Sequence, residues 1–351
     1  MRVPANVNKI RRSIMRKLTS NIGKSSKGDF SVFKFNDKSI KILIVRPNHR
    51  LGNLLLVTPV IKEIESIFSN PSIDLFVKGN LSEIVFKNYN SINKHIKLPK
   101  KPFDNLLNYF MVWIKLLFNK YDLVLNIDDC SSSGRIATSV ARAKYKIVGL
   151  DQPIKYCNVE EEKKSKHIAI KPVIALRNFI NNEFIQINEY PTLDLKLDEV
   201  EIEFGSQKLY EIVNNSNKTI TIFTFATGDK MLPQLWWNQF YELLKINFPM
   251  YNILEVLPIE NVSQIGFKAK TFYSKDIREI ASLISNTAIF IGADSGIMHL
   301  SVSSKTTTIG ILSGSFKTKY EPYGNESIGF DKNGTSQEEI INEMKKILLS
   351  K

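Results

Sequence analysis

At 351 residues and 40.1 kDa the chain exceeds what one hydrophobic core supports and fits two domains. Its 43% hydrophobic and 24% charged residues exclude wholesale disorder, a collagen-like repeat and a disulfide-stapled miniprotein. The net charge of +13 points toward nucleic acid, yet residues 1–28 hold eight Lys or Arg and no acid, leaving 40 basic against 35 acidic residues elsewhere, so nucleic acid is the least favoured partner.

Residues 1–38 read as a basic extension. Ile10, Ile14, Leu18 and Ile22 recur every fourth residue among Arg11, Arg12, Arg16 and Lys17, the pattern of a basic amphipathic helix. Such a helix either docks on its own protein or attaches to an anionic membrane surface through residues 1–28. From Ser39 strands and helices alternate: strand Ile40–Val45, helix Leu51–Phe68, strand Ile73–Val77, a third strand near His95–Leu98. Phe103–Phe118 is helical and apolar nearly all round, the mark of a buried helix, with a lipid- or acceptor-facing patch as the other reading. Strand Leu123–Ile127, helix Ser133–Ala143 and strand Lys146–Leu150 close this series.

The second series begins with helix Val200–Val213, strand Thr219–Phe225 and helix Leu235–Ile246. Strands Asn252–Leu257 and Thr271–Tyr273, helix Asp276–Ile284 and strand Ala288–Gly292 follow, then helix Gly296–Val302 and strand Thr307–Leu312. The last helix opens at Ser336, with Glu339 completing a capping box. The expected fold class is α/β: two Rossmann-like, doubly wound domains with parallel sheets, over 39–190 and 191–330, plus a C-terminal helix over 331–351.

Two cysteines, Cys130 and Cys157, make no framework, and His49, His95, His167 and His299 form no metal spacing, so no metal is expected. No apolar run approaches the 18–20 residues that span a bilayer, and no secretory leader is recognisable. The expected location is the cytoplasm, with peripheral attachment to the inner face of a membrane left open by the arm.

Ligands of doubly wound sheets sit beyond the carboxyl ends of the strands. Four segments lie there: Arg46–Asn53, Asp128–Arg135, Ala226–Pro233 and Gly292–His299. In the last, Asp294, Ser295 and Gly296 open a helix, where free N–H groups can cradle an anion; an ordinary N-capped turn is the alternative. Lys230, beside Gly228, suits a diphosphate, although alone it reads as a solvated charge. Arg46 and Arg50 suit an anionic acceptor, or else surface ion pairs.

The segments ADSGIMHLS (293–301) and ATGDKMLPQLWW (226–237) resemble the C-terminal signature of the ADP-heptose:lipopolysaccharide heptosyltransferases, glycosyltransferase family 9. Tyr320–Gly324 is similar to that family's terminal P-Y-G, and ILIVRPNHRLGNLLLVTPVIKEI (42–64) to its opening strand, R-x-x-x-L-G-D turn and T-P helix. The resemblance implies a GT-B fold, with the acceptor on the N-terminal domain and the nucleotide sugar on the C-terminal one. It also implies transfer with inversion, no metal, and no cofactor beyond the donor, ADP-heptose in the family. Carried over residue by residue, Lys230 and Thr227 meet the donor diphosphate, Ser295 and Gly296 supply backbone at the phosphate, Asp294 faces the sugar, and His299 sits on the short helix. The acceptor would be an anionic glycolipid, with Arg46, Arg50 and Arg135 as its candidate contacts.

The family's expected general base, the aspartate of L-G-D, is Asn53 here. An amide cannot take the proton near neutral pH, a loss of roughly 10²–10⁴ in rate if nothing replaces it. His49, Asp128 and Asp129 are the candidate substitutes. The competing reading is a catalytically silent GT-B paralogue that binds nucleotide sugar or glycan.

Overall fold

Eleven parallel strands in two sheets organise the computed structural model, which describes residues 5–26, 40–100, 106–128, 130–149, 159–180 and 189–349. Chain contacts divide it into two units. Unit 1 comprises Met1–His49, Pro59–Glu83 and Tyr89–Pro191; unit 2 comprises Arg50–Thr58, Ile84–Asn88 and Thr192–Lys351. Two short segments of the first βα series thus associate with unit 2, and so does the C-terminal helix.

The elements before residue 190 are α1 (Ala5–Leu18), β1 (Ile40–Val45), α2 (Leu51–Leu55), α3 (Thr58–Ile67), β2 (Pro71–Lys78), α4 (Leu81–Val85), β3 (Ile92–Leu98), α5 (Leu106–Phe118), β4 (Lys120–Asn126), α6 (Ser132–Val140), β5 (Arg142–Val148), α7 (Val159–Lys164) and α8 (Lys171–Ile180). The first sheet has the order β3-β2-β1-β4-β5. The expected single helix Leu51–Phe68 is two helices. Pro59 has no N–H to continue the first, but suits the opening turn of the second. The Thr58 hydroxyl bonds the Leu55 carbonyl at 2.7 Å across the break.

Leu43, Val45 and Phe76 of the sheet form one core with Val112 and Leu116 of α5 and Ala137 of α6, so both helices cover the same face. On this point the sequence expectation needs correction: α5 is not a buried helix. It buries Val112 and Leu116 and leaves most of its other large apolar side chains exposed.

Of the two readings of the N-terminal arm, the docked helix does not hold. Ile10, Ile14 and Leu18, the stripe that would fill a groove, are exposed, Leu18 by 71%. Docking falls to the residues after the helix. Thr19 is buried and accepts from Arg135 Nη2 at 2.8 Å, Arg135 also donates to the Arg16 carbonyl at 3.1 Å, and the Ser25 and Ser26 hydroxyls accept from the Val148 and Lys146 N–H groups of β5. Gly23 lies so close to the Arg135 carbonyl that a Cβ there would clash with its oxygen.

Unit 2 continues with α9 (Glu199–Val213), β6 (Thr219–Phe223), α10 (Gln234–Asn247), β7 (Asn252–Val256), β8 (Lys270–Phe272), α11 (Ile277–Ser285), β9 (Ile289–Ala293), α12 (Gly296–Ser303), β10 (Thr308–Leu312), α13 (Gly314–Tyr320), β11 (Ile328–Asp331) and α14 (Gln337–Leu349). Its sheet order is β11-β10-β9-β6-β7-β8. Every residue of β6, β9 and β10 is buried, as expected of parallel strands covered on both faces. Trp237 and Phe240 of α10 share a core with Ile340, Ile341 and Met344 of α14, which makes the terminal helix part of this unit.

Glu201 ties several elements of unit 2 together. With Asp198 it forms the capping box of α9, and its carboxylate accepts from Arg278 Nη2 at 2.6 Å and from Lys87 at 3.1 Å. Burial alone would raise its pKa, but the bonds from Arg278, the Asp198 N–H and Lys87 outweigh that and bring it from 4.5 to about 2. A depressed carboxylate stabilises the fold above its unfolded value, and the contribution is lost as pH falls through the folded one. The melting temperature is therefore expected to drop as pH goes from about 4.5 toward 2, and Glu201→Gln should flatten that drop in a pH series of thermal melts.

Candidate functional site

The strand-to-helix turn after β9 carries the strongest constellation. Ala293 ends the strand, Asp294 is 5% exposed, and Ser295 is the N-cap of α12, its hydroxyl accepting the Met298 N–H at 3.2 Å. The first turn of that helix leaves N–H groups without intrahelical partners, at the positive end of the helix dipole. Lys230 Nζ lies 2.7 Å from the Asp294 carboxylate, and the lysine side chain is 37% exposed. It arrives on a turn after β6, where Gly228 adopts φ +63, a conformation that favours glycine, and Met231 N–H closes the turn on the Gly228 carbonyl at 3.1 Å. Thr227 is exposed at the head of this turn, and its side chain makes no capping bond. An ammonium, a buried carboxylate and a helix start thus meet at one point, which can hold an anion next to hydroxyl groups.

Three contacts in this unit were not legible in the sequence, although Tyr320 itself lies in the Tyr320–Gly324 motif. Lys332, just past β11, donates to the Asp229 carbonyl at 2.6 Å and so pins the turn that presents Lys230; β11 itself was not foreseen. The Tyr320 ring lies 5.8 Å from Lys230 Nζ, a cation–π distance. Glu255, at the end of β7, is fully buried and accepts from the Thr224 and Ser263 hydroxyls, each at 2.6 Å. Burial pushes its carboxyl above the usual range and the two hydroxyls pull it partly back.

The helix carrying Asn53 belongs to the same unit. α2 packs on α12 through two glycines: a Cβ on Gly52 would come within 2.7 Å of the His299 ring, and one on Gly296 within 3.1 Å of Leu51 Cβ. His299 is buried against that backbone, and Asn53 is half-buried one residue beyond Gly52. Sequence reasoning named Gly296 for its approach to a ligand and did not foresee its role in helix contact.

Of the other candidates, Arg50 belongs to unit 2 and Arg46, His49, Asp128 and Arg135 to unit 1. Arg46 follows β1, is 2% exposed, and pairs through Nη1 with Asp128 Oδ2 at 2.8 Å. Asp128 follows the adjacent strand β4, and its other oxygen accepts the Cys130 N–H at 3.2 Å. The register of β1 on β4, Val45 opposite Asn126, brings this pair together at the carboxyl end of the first sheet. His49 and Arg50 are exposed. Arg135 is buried and holds the N-terminal arm. Asp129 lies outside the described residues. Among the described residues, no group of three His, Cys, Asp or Glu could hold a metal ion, and no helix is long and apolar enough to cross a membrane.

Residues 274–347, which contain the Asp294–His299 turn, match the family model of glycosyltransferase family 9 (heptosyltransferase). That segment of the chain is similar to glycosyltransferase family 9. Among solved structures it is similar to a glycosyl transferase family 9 protein from Veillonella parvula, at 14% identity and a TM-score of 0.69, covering 89% of this chain and 98% of that one. It is also similar to ADP-heptose LPS heptosyltransferase II of E. coli (11% identity, TM-score 0.62, 89% and 99% covered) and to E. coli heptosyltransferase WaaC with ADP (12%, TM-score 0.63, 89% and 99%). At these identities the structural likeness establishes the fold alone, a GT-B fold in which each unit is built on a parallel sheet. No curated protein matches the chain in sequence.

Proposed function

We propose that this heptosyltransferase-like chain moves a sugar from a nucleotide sugar, ADP-heptose first among candidates, to an anionic lipopolysaccharide-core or related glycan acceptor, with inversion and without a metal ion. The Lys230–Asp294 pair at the start of α12 carries the reading. In it, Lys230 and the N–H groups at the start of α12 take the diphosphate, and the charge spread over its oxygens makes it the leaving group. Asp294, released from the ammonium, accepts from hydroxyls of the donor sugar. Thr227 adds a donor at the phosphate. Ser295, with its hydroxyl committed to the cap, acts by fixing the helix start.

The proton of the attacking acceptor hydroxyl needs another base than Asn53. Both carboxylate oxygens of Asp128 are engaged, by Arg46 and by the Cys130 N–H. His49, exposed and four residues before Asn53, takes that role in this reading, its imidazole nitrogen accepting the proton. Asn53 then orients the acceptor. Replacing His49 with alanine should lower turnover by about 10²–10⁴, far more than Asn53→Ala, whereas Asn53→Asp should raise it in steady-state assays on an anionic acceptor. Equal, small effects from all three would remove both positions from proton transfer. The second reading, binding without transfer, draws on the same Asn53 and predicts donor affinity with no turnover in any of these variants. Peripheral attachment to an anionic membrane through the basic arm completes the proposal, since α1 leaves Ile10, Ile14 and Leu18 exposed.

A further inference from the structure

α5 has two apolar faces, and only one is used. Val112 and Leu116 enter the core, with Tyr109 and Trp113 packed beside them, and Trp113 meets Phe76 at 5.4 Å between ring centroids. The opposite face presents Leu107, Phe110, Met111, Ile114 and Phe118, at the i, i+3, i+4, i+7 spacing of one helical stripe. Leu107 is 83% exposed, Phe118 79% and Phe110 60%. Isolated exposed apolar residues are ordinary on a protein surface, but a continuous stripe of this kind marks an interaction site.

The charge around the stripe identifies its occupant. α5 contains no acid and one base, Lys115; Lys100 and Lys101 precede it and Lys120 follows, against Asp104 and Asp122. On the same face of the sheet, α6 touches both α5 and the arm, and the arm brings exposed Arg16 and Lys17 with exposed Ile14 and Leu18. Apolar residues flanked along the chain by Lys and Arg complement an anionic lipid leaflet. A second copy of this chain fits less well, because a two-fold pairing would set these like charges face to face.

We propose that the outer face of α5 inserts into the headgroup region of an anionic membrane as the main apolar anchor of unit 1, with the arm as its electrostatic partner. This deepens the peripheral attachment proposed above and rests on it. The acceptor's lipid would then be approached by a surface already seated in its leaflet.

The test uses the full chain and vesicles of phosphatidylglycerol and phosphatidylcholine in equal parts, with pure phosphatidylcholine as control. Replacing Leu107, Phe110 and Ile114 together with glutamine should weaken co-sedimentation about tenfold or more, and the loss should persist at high salt, where the arm's charges are screened. Deleting residues 1–18, which leaves Thr19, Ser25 and Ser26 in place, should weaken binding at low salt only. The Phe110→Trp variant should shift its emission to the blue on anionic vesicles. Thermal melts and ADP titration on each variant confirm that fold and donor site are intact. Wild-type binding by the triple variant, or an emission unchanged by lipid, overturns the α5 anchor while leaving the arm in place. An emission shift that follows protein concentration without lipid overturns it in favour of self-association. Failure of the full-length chain to bind either vesicle overturns peripheral attachment altogether.

Discussion

Replacing Lys230 with alanine is expected to weaken binding of an ADP-sugar by roughly ten- to hundredfold, the equivalent of about 1.5–3 kcal/mol for charged hydrogen bonds to phosphate. The lysine sits 2.7 Å from the Asp294 carboxylate, so the unliganded site neutralises itself. A diphosphate must draw the ammonium away from Asp294 and offer more charge in return, which it can. Lys230→Arg should retain much of the affinity, since charge and reach survive, although the compact ammonium geometry does not. Asp294 is 5% exposed, and the alanine variant leaves it without this partner, so a lowered melting temperature should accompany the loss. Calorimetric titration of ADP on folded variants separates the two effects. Unchanged affinity in folded Lys230→Ala would take the lysine out of the donor site.

A larger stability loss is expected in unit 1. Arg177 and Glu63 are both buried and face each other through two bonds, 2.7 and 3.0 Å, and Arg177 also donates to the Glu189 carbonyl and stacks over the Tyr190 ring at 4.7 Å. Breaking such a pair strands a charge in low dielectric, at a cost of about 3–5 kcal/mol. Arg177→Met should therefore lower the melting temperature by on the order of 10 °C. Adding Glu63→Leu removes the stranded carboxylate and should restore most of the loss. A single variant that melts like the parent, measured at neutral pH, contradicts this account of the pair.

Where apolar burial dominates, the fold was legible. β1 is IKILIV in both readings, because a parallel strand covered on both faces is an apolar run whatever its partners. β5 was read short: RAKYKIV is an edge strand whose polar first half has no such signal, and β11, four residues long with a glycine, had none at all. The break before α3 lies in LLLVTPV, where the apolar periodicity runs through and Pro59 is the one mark of a boundary. For α5, composition alone cannot say which of two apolar faces is covered, so burial and an exposed patch both stay open in the sequence. In the site, Asp294, Ser295 and Gly296 stood out as a strand-to-helix turn, and Lys230 by its place after β6. Their pairing was not legible, nor was the docking of Arg135 on Thr19, which brings together residues 116 positions apart. The first contact depends on where two strands end, the second on how the residue after α1 meets α6, and no local pattern encodes either.

The most direct test is mass spectrometry of an anionic lipopolysaccharide-core acceptor after incubation with the full chain and ADP-heptose. The account predicts one added heptose per acceptor, matched by released ADP, and loss of both in Lys230→Ala. Tight ADP binding with no mass gain and no ADP release would contradict it.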